Sequence, residues 1–218
     1  PFHFHMMGNV EGSFVRGCSV HHSFNRAITI NAVHYLEVTH NVAYDNMGHT
    51  FFMENAIETN NEISHNLGLH TKASLSLLDT DTTPATFWIT NPSNFIKHNA
   101  AAGSDRYGFW FDLPVHPTGP SFTDTICPRG MPLGAFENNT AHSSGRYGLY
   151  IFDFYDPREN PCSWGGNNFH VIPAHRAIFK NFSSYKNLRS GAMAHQIGQV
   201  VFRDFKLVDN MRAGGEIV

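Results

Sequence analysis

Three residues with metal-binding and proton-transferring side chains recur at similar intervals early in the sequence. His21, Asp45 and His70 are 24 and 25 residues apart. Imidazole and carboxylate groups are metal ligands and also act as general acids and bases. They are candidate ligands for a divalent metal ion, provided that a repeating element stacks the three side chains close together. A surface hydrogen-bond network is the alternative, because stacked strands would hold the two histidines about 9.6 Å apart.

A second set of polar side chains is suited to polysaccharide chemistry. If the protein is an enzyme, Asp45 or Glu54 would be its acid or base. Arg26 would then bind a substrate carboxylate, with His49 nearby. The candidate ligand-binding residues are His3, His5, His21, His22, Trp110 and Asp112. Aromatic faces beside carboxylates suit sugar rings and hydroxyl groups, so this set indicates a glycan site.

An internal repeat indicates which element would position these residues. Seven times, an apolar residue is followed three positions later by Asn or a substitute for it. The apolar residues are Phe14, Val38, Ile63, Ile96, Phe136, Ile178 and Val201, and their partners are Gly17, Asn41, Asn66, Asn99, Asn139, Asn181 and Asp204. The segments between them are short and rich in Val, Ile, Phe and Thr, which is typical of parallel β-helix coils.

The repeat predicts an all-β protein, a right-handed parallel β-helix of about seven coils. Three coils are lengthened, and their inserted loops are predicted near residues 70–84, 113–133 and 153–175. We expect a single domain over residues 1–218 that is a piece of a larger ectodomain.

The repeat also predicts where side chains point. Asn tolerates the left-handed backbone of a corner and can hydrogen-bond from coil to coil. A second column of small residues marks tight turns, at Ala27, Thr50, Gly108, Gly148, Gly191 and Gly214. We expect the first and third residues after the Asn column to face inward and the second and fourth outward. His21, Asp45 and His70 would then form one outward file, with Trp110 and Tyr150 as exposed aromatics.

The cysteines and sequons predict extracellular chemistry. Cys127 and Cys162 lie in long insertions on consecutive predicted coils, so we expect a disulfide between them in an oxidising compartment. Cys18 is expected to be a buried free thiol. Asn138 and Asn181 begin glycosylation sequons. For Asn181 we favour a place in the Asn column, which leaves Asn138 as the better glycan site.

Composition excludes several partners. The net charge of −3 gives no basic surface of the kind that nucleic acid requires. No apolar segment is long enough to span a bilayer, so we expect no direct membrane insertion. The 15 histidines would make the chain cationic below about pH 6, and binding of an acidic glycan would then depend on pH.

Several segments in order carry a family resemblance. They are "PFHFHMMG", "VHHSFNRAITI", "AYDNMGHTFFME", "ATFWITNPSN", "AAGSDRYGFWFD", "HPTGPS" and "PLGAFENNTAHS". They resemble the extracellular β-helix segment of the superfamily that contains the fibrocystins and the hyaluronan-degrading cell-migration-inducing and transmembrane proteins. The loop segments "ICPRG" and "NPCSW" resemble the fibrocystin branch. The resemblance implies a module of a large type I membrane protein on the extracellular face of the plasma membrane.

The resemblance leaves the function open. The matching positions include His3, His5, His21, His22, Arg26, Asp45, His49 and Glu54. One hypothesis is a non-catalytic module that binds a glycosaminoglycan or other extracellular glycan, or adjacent domains of its parent ectodomain. Another is a hydrolase that depolymerises hyaluronan-like polysaccharide, and a third is a structural spacer. We favour the binding module.

Overall fold

The computed structural model describes residues 1–75, 78–163 and 176–218. Within these ranges the chain forms 22 β-strands, and its helices are three short 3-10 turns. In the described part of the chain, no helix has the length and apolar character needed to cross a membrane.

The strands follow one another coil by coil and are numbered in chain order. The first four coils contain β1 (Phe2–Asn9), β2 (Phe14–Arg16), β3 (Ser19–His21), β4 (Ile28–His34), β5 (Glu37–Thr39), β6 (Val42–Met47), β7 (Phe51–Met53), β8 (Glu62–Ser64), β9 (Leu67–Lys72), β10 (Ala85–Ile89), β11 (Phe95–Lys97) and β12 (Ala100–Ala102). The later coils contain β13 (Tyr107–Phe111), β14 (Ala135–Glu137), β15 (Thr140–His142), β16 (Tyr147–Ile151), β17 (Ala177–Lys180), β18 (Ser183–Tyr185), β19 (Ser190–Ala194), β20 (Val200–Arg203), β21 (Lys206–Val208) and β22 (Ala213–Ile217). The 3-10 turns are Asp79–Thr82, Gly119–Ser121 and Pro128–Gly130.

Each coil gives one strand to each of three parallel sheets. Sheet A has the order β1-β4-β7-β10-β13-β16-β19-β22, sheet B the order β2-β5-β8-β11-β14-β17-β20, and sheet C the order β3-β6-β9-β12-β15-β18-β21. Hydrogen-bonded neighbours therefore always come from successive coils. This topology confirms the predicted all-β fold, a parallel β-helix of about seven coils.

Apolar side chains fill the interior in continuous files. Phe51, Phe87 and Phe109 occupy one file because the register pairs them directly. Their rings stack with centroids 4.6 and 4.7 Å apart. Each aromatic pair adds about 0.5–1.5 kcal/mol beyond the burial of its area. Stacking of identical positions therefore stabilises the rod along its length.

A buried ladder of Asn side chains forms one corner of the coils. The backbone N–H and the Nδ2 of Asn41 both donate to Oδ1 of Asn66 at 3.0 Å. Asn41 Nδ2 also donates to the carbonyl of Val15 at 3.0 Å. The same pattern continues through Asn99 to Asn139. The ladder satisfies backbone groups that the turn removes from the sheets, as buried polar groups require.

The predicted Asn column is wrong at both ends of the chain. In the first coil Cys18, not Gly17, lies opposite Asn41 and donates its N–H to the Asn41 side chain at 3.0 Å. In the sixth coil Phe182 takes the ladder position, because Thr140 pairs with Ser183. Asn181 is therefore exposed and lies beside Asn138, to which its Nδ2 donates at 3.0 Å.

The error has a physical cause in neighbouring apolar residues. Phe179 pairs with Phe136 in sheet B and is fully buried, whereas the predicted anchor Ile178 is only half-buried. Likewise Val15, not Phe14, pairs with Val38 and is buried. Two adjacent apolar residues fit the sequence pattern equally well. The pattern therefore assigned the Asn column one residue away from its observed position.

The predicted inward and outward positions after the Asn column were also wrong. Ala43, two residues after Asn41, is 1% exposed, whereas Val42 and Tyr44 are 39% and 44% exposed. Because the Asn side chain points inward to form the ladder, alternation places the next residue outward. The second position therefore faces the core, which explains why only small residues occupy it in the middle coils.

The column of small residues is confirmed and contains one further member. Sheet A register aligns Ala27, Thr50, Thr86, Gly108, Gly148, Gly191 and Gly214. A Cβ on Gly108 would lie 2.6 Å from the carbonyl oxygen of Gly148 and 2.7 Å from the Cβ of Ala141. Only a residue without a side chain lets the two sheets approach this closely at the corner.

Three insertions interrupt the coils, between β9 and β10, β13 and β14, and β16 and β17. We call their described residues loop 1 (residues 73–75 and 78–84), loop 2 (residues 112–134) and loop 3 (residues 152–163). Most of the insertion predicted near residues 153–175 lies outside the described residues. The disulfide between Cys127 and Cys162 joins loop 2 to loop 3, as the sequence predicted. Cys18 is a free thiol as expected, but it is half-buried.

Candidate functional site

A cleft of about 270 Å³ opens on the outer face of sheet A. Loop 1 and loop 2 contribute walls, and side chains of sheet A contribute the floor. The lining residues are Glu54, Leu78, Asp79, Thr80, Trp88, Thr90, Asp112, Pro114 and Thr118. The cleft combines an aromatic ring with three carboxyl groups.

The register of sheet A brings the polar lining together. Glu54 follows β7, Thr90 follows β10 and Asp112 follows β13, so the three residues continue the strands at one edge of the sheet. Ladder hydrogen bonds extend to these positions, from Glu54 N to Ile30 O at 3.0 Å and from Asp112 N to Ile89 O at 2.9 Å. Their side chains therefore lie on neighbouring coils, about 4.8 Å apart along the rod.

Loop 2 is fixed against the early coils by Asn55. The N–H of Thr118 donates to the carbonyl of Asn55 at 2.9 Å. The side chain of Asn55 donates to Ser121 at 3.2 Å and to Asn31 at 3.0 Å. These bonds hold the loop 2 wall opposite loop 1 and keep the cleft open between them.

Asp112 has an unusual electrostatic environment. Burial raises the pKa of Asp112 to about 6, although the nearby Trp88 indole and the Arg129 guanidinium both lower it. Trp88 is close enough to lower the pKa of Asp112, but its buried Nε1 makes no hydrogen bond within the described residues. Asp112 is therefore protonated in a substantial fraction of molecules at slightly acid pH, and it can donate or accept a hydrogen bond there.

An aromatic layer covers the outer face of sheet A beside the cleft. Trp88 stacks on Phe52 with centroids 4.6 Å apart, and Tyr107 stacks on Tyr150 at 4.7 Å. Trp88 and Trp110 are each 7% exposed and Tyr150 is 9% exposed. The predicted exposed aromatics Trp110 and Tyr150 are thus largely covered by one another. The indole Nε1 atoms of Trp88 and Trp110 have no hydrogen-bond acceptor.

Two predicted catalytic residues, Arg26 and His49, are buried structural residues. Arg26 forms a two-pronged ion pair with Asp81 of loop 1 and lies over the Phe52 ring, 3.9 Å from its centroid. His49 accepts the N–H of Ala85 at Nδ1 and bonds to Thr80 through Nε2. Burial lowers the pKa of His49 to about 3, so the imidazole is neutral. These contacts fasten loop 1 to sheet A.

Asp45 lies at another corner, where it neutralises a cation. Its Oδ1 is 2.6 Å from Lys72 Nζ and 3.4 Å from His70 Nδ1, and its Oδ2 is 3.6 Å from His22 Nε2. The hydrogen bond from Lys72 holds the pKa of Asp45 below its ordinary value. Asp45 lies in β6 of sheet C and therefore belongs to a surface ion-pair network that does not line the sheet A cleft.

The structure aligns a different histidine with two of the predicted metal ligands. The register aligns His22, not His21, with Asp45 and His70. All three have left-handed backbone, with φ of 53°, 55° and 54°. His21 instead contacts His22, with their Nδ1 atoms 2.8 Å apart. Among the residues the structure describes, no group of three or more His, Cys, Asp or Glu side chains has metal-binding geometry.

The first strand adds two histidines near the cleft. His3 Nε2 is 3.9 Å from Glu54 Oε2, and the His3 and His5 rings meet edge to face at 5.2 Å. Of the predicted ligand-binding residues, Asp112 lines the cleft. Glu54, which was predicted as catalytic, also lines it. Asp79, Thr80 and Thr90 also line the cleft and were not predicted. Thr90 had a recognisable signal, because it directly follows the apolar strand "ATFWI".

The fold and the cleft define a parallel β-helix whose insertions build a surface site. The CEMIP beta-helix family model matches residues 1–149, and the chain belongs to this family. It is 44% identical over 217 residues to fibrocystin-L of Mus musculus and 42% identical to that of Homo sapiens. Each alignment covers 99% of this chain and 5% of the relative.

More distant relatives carry other names. The chain is 34% identical over 259 residues to the cell surface hyaluronidase CEMIP2 of Homo sapiens, with 96% of this chain and 19% of that protein covered. The chain therefore spans a small part of the curated relatives it matches. The similarity confirms the family resemblance of the sequence segments.

Proposed function

We propose that this chain is an extracellular β-helix module of a cell-surface, fibrocystin-like protein and that it binds a carbohydrate in the sheet A cleft. One observation carries the proposal, the juxtaposition of Trp88 with Glu54 and Asp112 in an open cleft of about 270 Å³. Trp88 is 7% exposed, and the uncovered part of its ring gives a sugar an apolar contact. Carboxyl groups accept hydrogen bonds from sugar hydroxyls. The relatives with cell-surface names support the proposed location.

The charge of the cleft indicates which glycans fit. Glu54, Asp79 and Asp112 give the cleft three carboxyl groups. A uronate or sulfate group would be repelled by them, whereas neutral hexoses and N-acetylhexosamines would not. We therefore propose a neutral segment of an extracellular glycan as the cleft ligand. Adjacent domains of the parent ectodomain would flank the module without occupying this cleft.

The test is a binding measurement with a charge-neutral variant of the same shape. Glu54→Gln combined with Asp112→Asn should weaken binding of neutral oligosaccharides roughly tenfold or more, since two charge-assisted hydrogen bonds become ordinary ones. Titration calorimetry against a panel of labelled oligosaccharides measures the change. Glu137→Gln on sheet B is the matched control and should leave affinity unchanged. Equal affinity of the double variant would contradict the cleft as the site.

A second function is supported by the environment of Asp112. A carboxyl group whose pKa is raised to about 6 can serve as the general acid of a glycoside hydrolase, with Glu54 as its partner. This assignment replaces the predicted set of Asp45, His49 and Arg26, two of which are buried. The same variants decide between the functions. At pH 5 Asp112 is mostly protonated, so the cleft repels the uronates of hyaluronan less than it does at pH 7. Shortening of size-defined hyaluronan by the parent ectodomain at pH 5, abolished by Asp112→Asn, would favour the hydrolase.

The same experiment tests whether the protein requires a divalent metal. The sequence predicted a divalent metal at His21, Asp45 and His70, and the register of sheet C puts His22 in the place of His21. Lys72 is a competing cation for Asp45. Hyaluronan cleavage or glycan binding that a chelator abolishes would support a metal. Activity that is insensitive to the chelator would contradict it.

A further inference from the structure

Four arginines form a continuous file along sheet A, at the N-terminal ends of its strands. Arg106, Arg146, Arg189 and Arg212 precede β13, β16, β19 and β22 by one residue each. Their backbones pair directly, with N to O distances of 2.8 Å from Arg146 to Arg106, 3.0 Å from Arg189 to Arg146 and 2.7 Å from Arg212 to Arg189. Successive guanidinium groups therefore originate about 4.8 Å apart along the rod. We call this file the arginine ladder.

The sequence carries a signal for the ladder. Each arginine stands two residues before a member of the small-residue column, in "RYG", "RYG", "RSG" and "RAG". The glycines are needed for the tight corner, but corner geometry places no demand for positive charge two residues earlier. Stacking four like charges also works against folding, so the repetition is not explained by packing.

Tyrosines hold the middle of the ladder. Arg146 donates to the hydroxyl of Tyr107 at 3.2 Å. The guanidinium carbons of Arg146 and Arg189 lie 5.6 and 5.4 Å from the centroid of the Tyr147 ring. Such contacts fix the guanidinium planes and leave most of their donors free. The Nε of Arg189 is buried and has no acceptor.

Little negative charge offsets the ladder. In the described part of the chain, Glu216 is the acidic side chain that pairs with these arginines, and it lies 3.6 Å from Arg212 at one end. Glu216 also accepts a hydrogen bond from Ser190. Asp105 contributes its backbone oxygen, not its carboxylate, to Arg106, and the carboxylate accepts the N–H of Ala73. Among the described residues, the guanidinium groups of Arg106, Arg146 and Arg189 thus have no ion-pair partner.

We propose that the arginine ladder binds a linear acidic polysaccharide that runs along the rod. A file of evenly spaced cations matches a polymer with evenly spaced carboxylates or sulfates. Guanidinium groups bind both anions with paired hydrogen bonds. The ladder differs from the carboxyl-lined cleft in charge and in place, so the proposal extends beyond the function proposed above.

The test compares two variants that remove the same charge. Arg146→Gln combined with Arg189→Gln should weaken binding of size-defined hyaluronan and heparin oligosaccharides roughly tenfold. Arg203→Gln combined with Lys206→Gln removes two exposed cations from sheets B and C and should change affinity less than about twofold. Surface plasmon resonance measures both, and circular dichroism establishes that each variant folds. Binding should weaken as ionic strength rises.

Several results would overturn the proposal. They are equal losses in the two double variants, equal binding of carboxyl-reduced hyaluronan, and equal binding of single-stranded DNA. The cleft variant Glu54→Gln with Asp112→Asn should retain acidic polysaccharide binding in full. Wild-type protein that binds acidic polysaccharide but no neutral oligosaccharide would contradict the cleft site and leave the arginine ladder supported. Wild-type protein that binds neutral oligosaccharide alone would contradict only the arginine ladder.

Discussion

At the scale of single residues, backbone conformation accounts for much of what resembled a catalytic motif. His22, Asp45 and His70 all adopt φ near 55°. Asp, Asn and His tolerate this left-handed region better than most residues. The same rule places His40, His65 and His98 at another corner, with φ of 57°, 56° and 56° and rings stacked 4.7 and 4.6 Å apart. Files of histidines and acids in a β-helix are therefore weak evidence for a metal.

Asp112 gives a pH-dependent prediction. Its pKa is raised from 3.8 to about 6, so the folded state binds a proton more tightly than the unfolded state. Its contribution is therefore favourable at low pH and is lost as the pH rises through about 6, at a cost of up to about 3 kcal/mol. Asp112→Asn should be more stable than the wild type at pH 7, with the difference shrinking toward pH 4.

Urea unfolding between pH 4 and pH 7.5 measures this difference. Asp209→Asn is a suitable control, because Asp209 is an exposed carboxylate. A stability difference for Asp112→Asn that stays constant across the range would show that Asp112 is not the group responsible.

At the scale of elements, the coil corners decide which sequence predictions succeeded. The small-residue column was predictable because Gly108, Gly148 and Gly191 have few alternatives where two sheets approach closely. The Asn ladder was predictable only in the middle coils. At the ends, adjacent apolar pairs such as Ile178 and Phe179 left two registers equally plausible, and only three-dimensional pairing chose between them. Because the predicted register of the first coil was off by one residue, His22 and not His21 lies in line with Asp45.

The buried ladder of Asn side chains should contribute to the stability of the fold. Asn99 accepts hydrogen bonds from Asn66 and donates to Ile63 O and to Asn139 Oδ1. Asn99→Ala should lower the free energy of unfolding by about 2–4 kcal/mol, because it leaves several buried groups unpaired. Asn138→Ala, at an exposed corner of the next coil, should cost only about 1 kcal/mol, which is the strain of alanine at its φ of 55°.

Urea denaturation of the two variants measures the contrast. Similar midpoints for Asn99→Ala and Asn138→Ala would mean that the buried ladder does not stabilise the coils. The exposed Asn138 and Asn181 keep their status as candidate glycosylation sites, and mass spectrometry of protein from a secretory host tests them.

At the scale of the whole molecule, the rod is regular and the insertions carry the candidate site. The coil repeat could be predicted because stacking requires the same residue types at the same places. The cleft could not, since Asp79 and Thr80 reach it from loop 1 and Pro114 and Thr118 from loop 2, and neither loop follows the repeat. The burial of Arg26 and His49 under loop 1 was hidden for the same reason.

The disulfide predicts a link between stability and binding. Cys127 and Cys162 enclose 35 residues of sequence, so Cys127→Ala with Cys162→Ala should lower the free energy of unfolding by about 3–4 kcal/mol. Because loop 2 also forms a wall of the cleft, neutral oligosaccharide affinity should fall as well. Denaturation and calorimetry measure the two effects, and Cys18→Ser is the control. Unchanged affinity in the double variant would show that loop 2 is held in place without the disulfide.

The position of the cleft between two insertions has an evolutionary consequence. Coils must keep their length, because a gained or lost residue would disturb every layer above and below. Insertions are free of that restriction, so mutation can lengthen or replace them one at a time. Descendants of one ancestral rod can thereby acquire different ligand preferences while their scaffold stays recognisable.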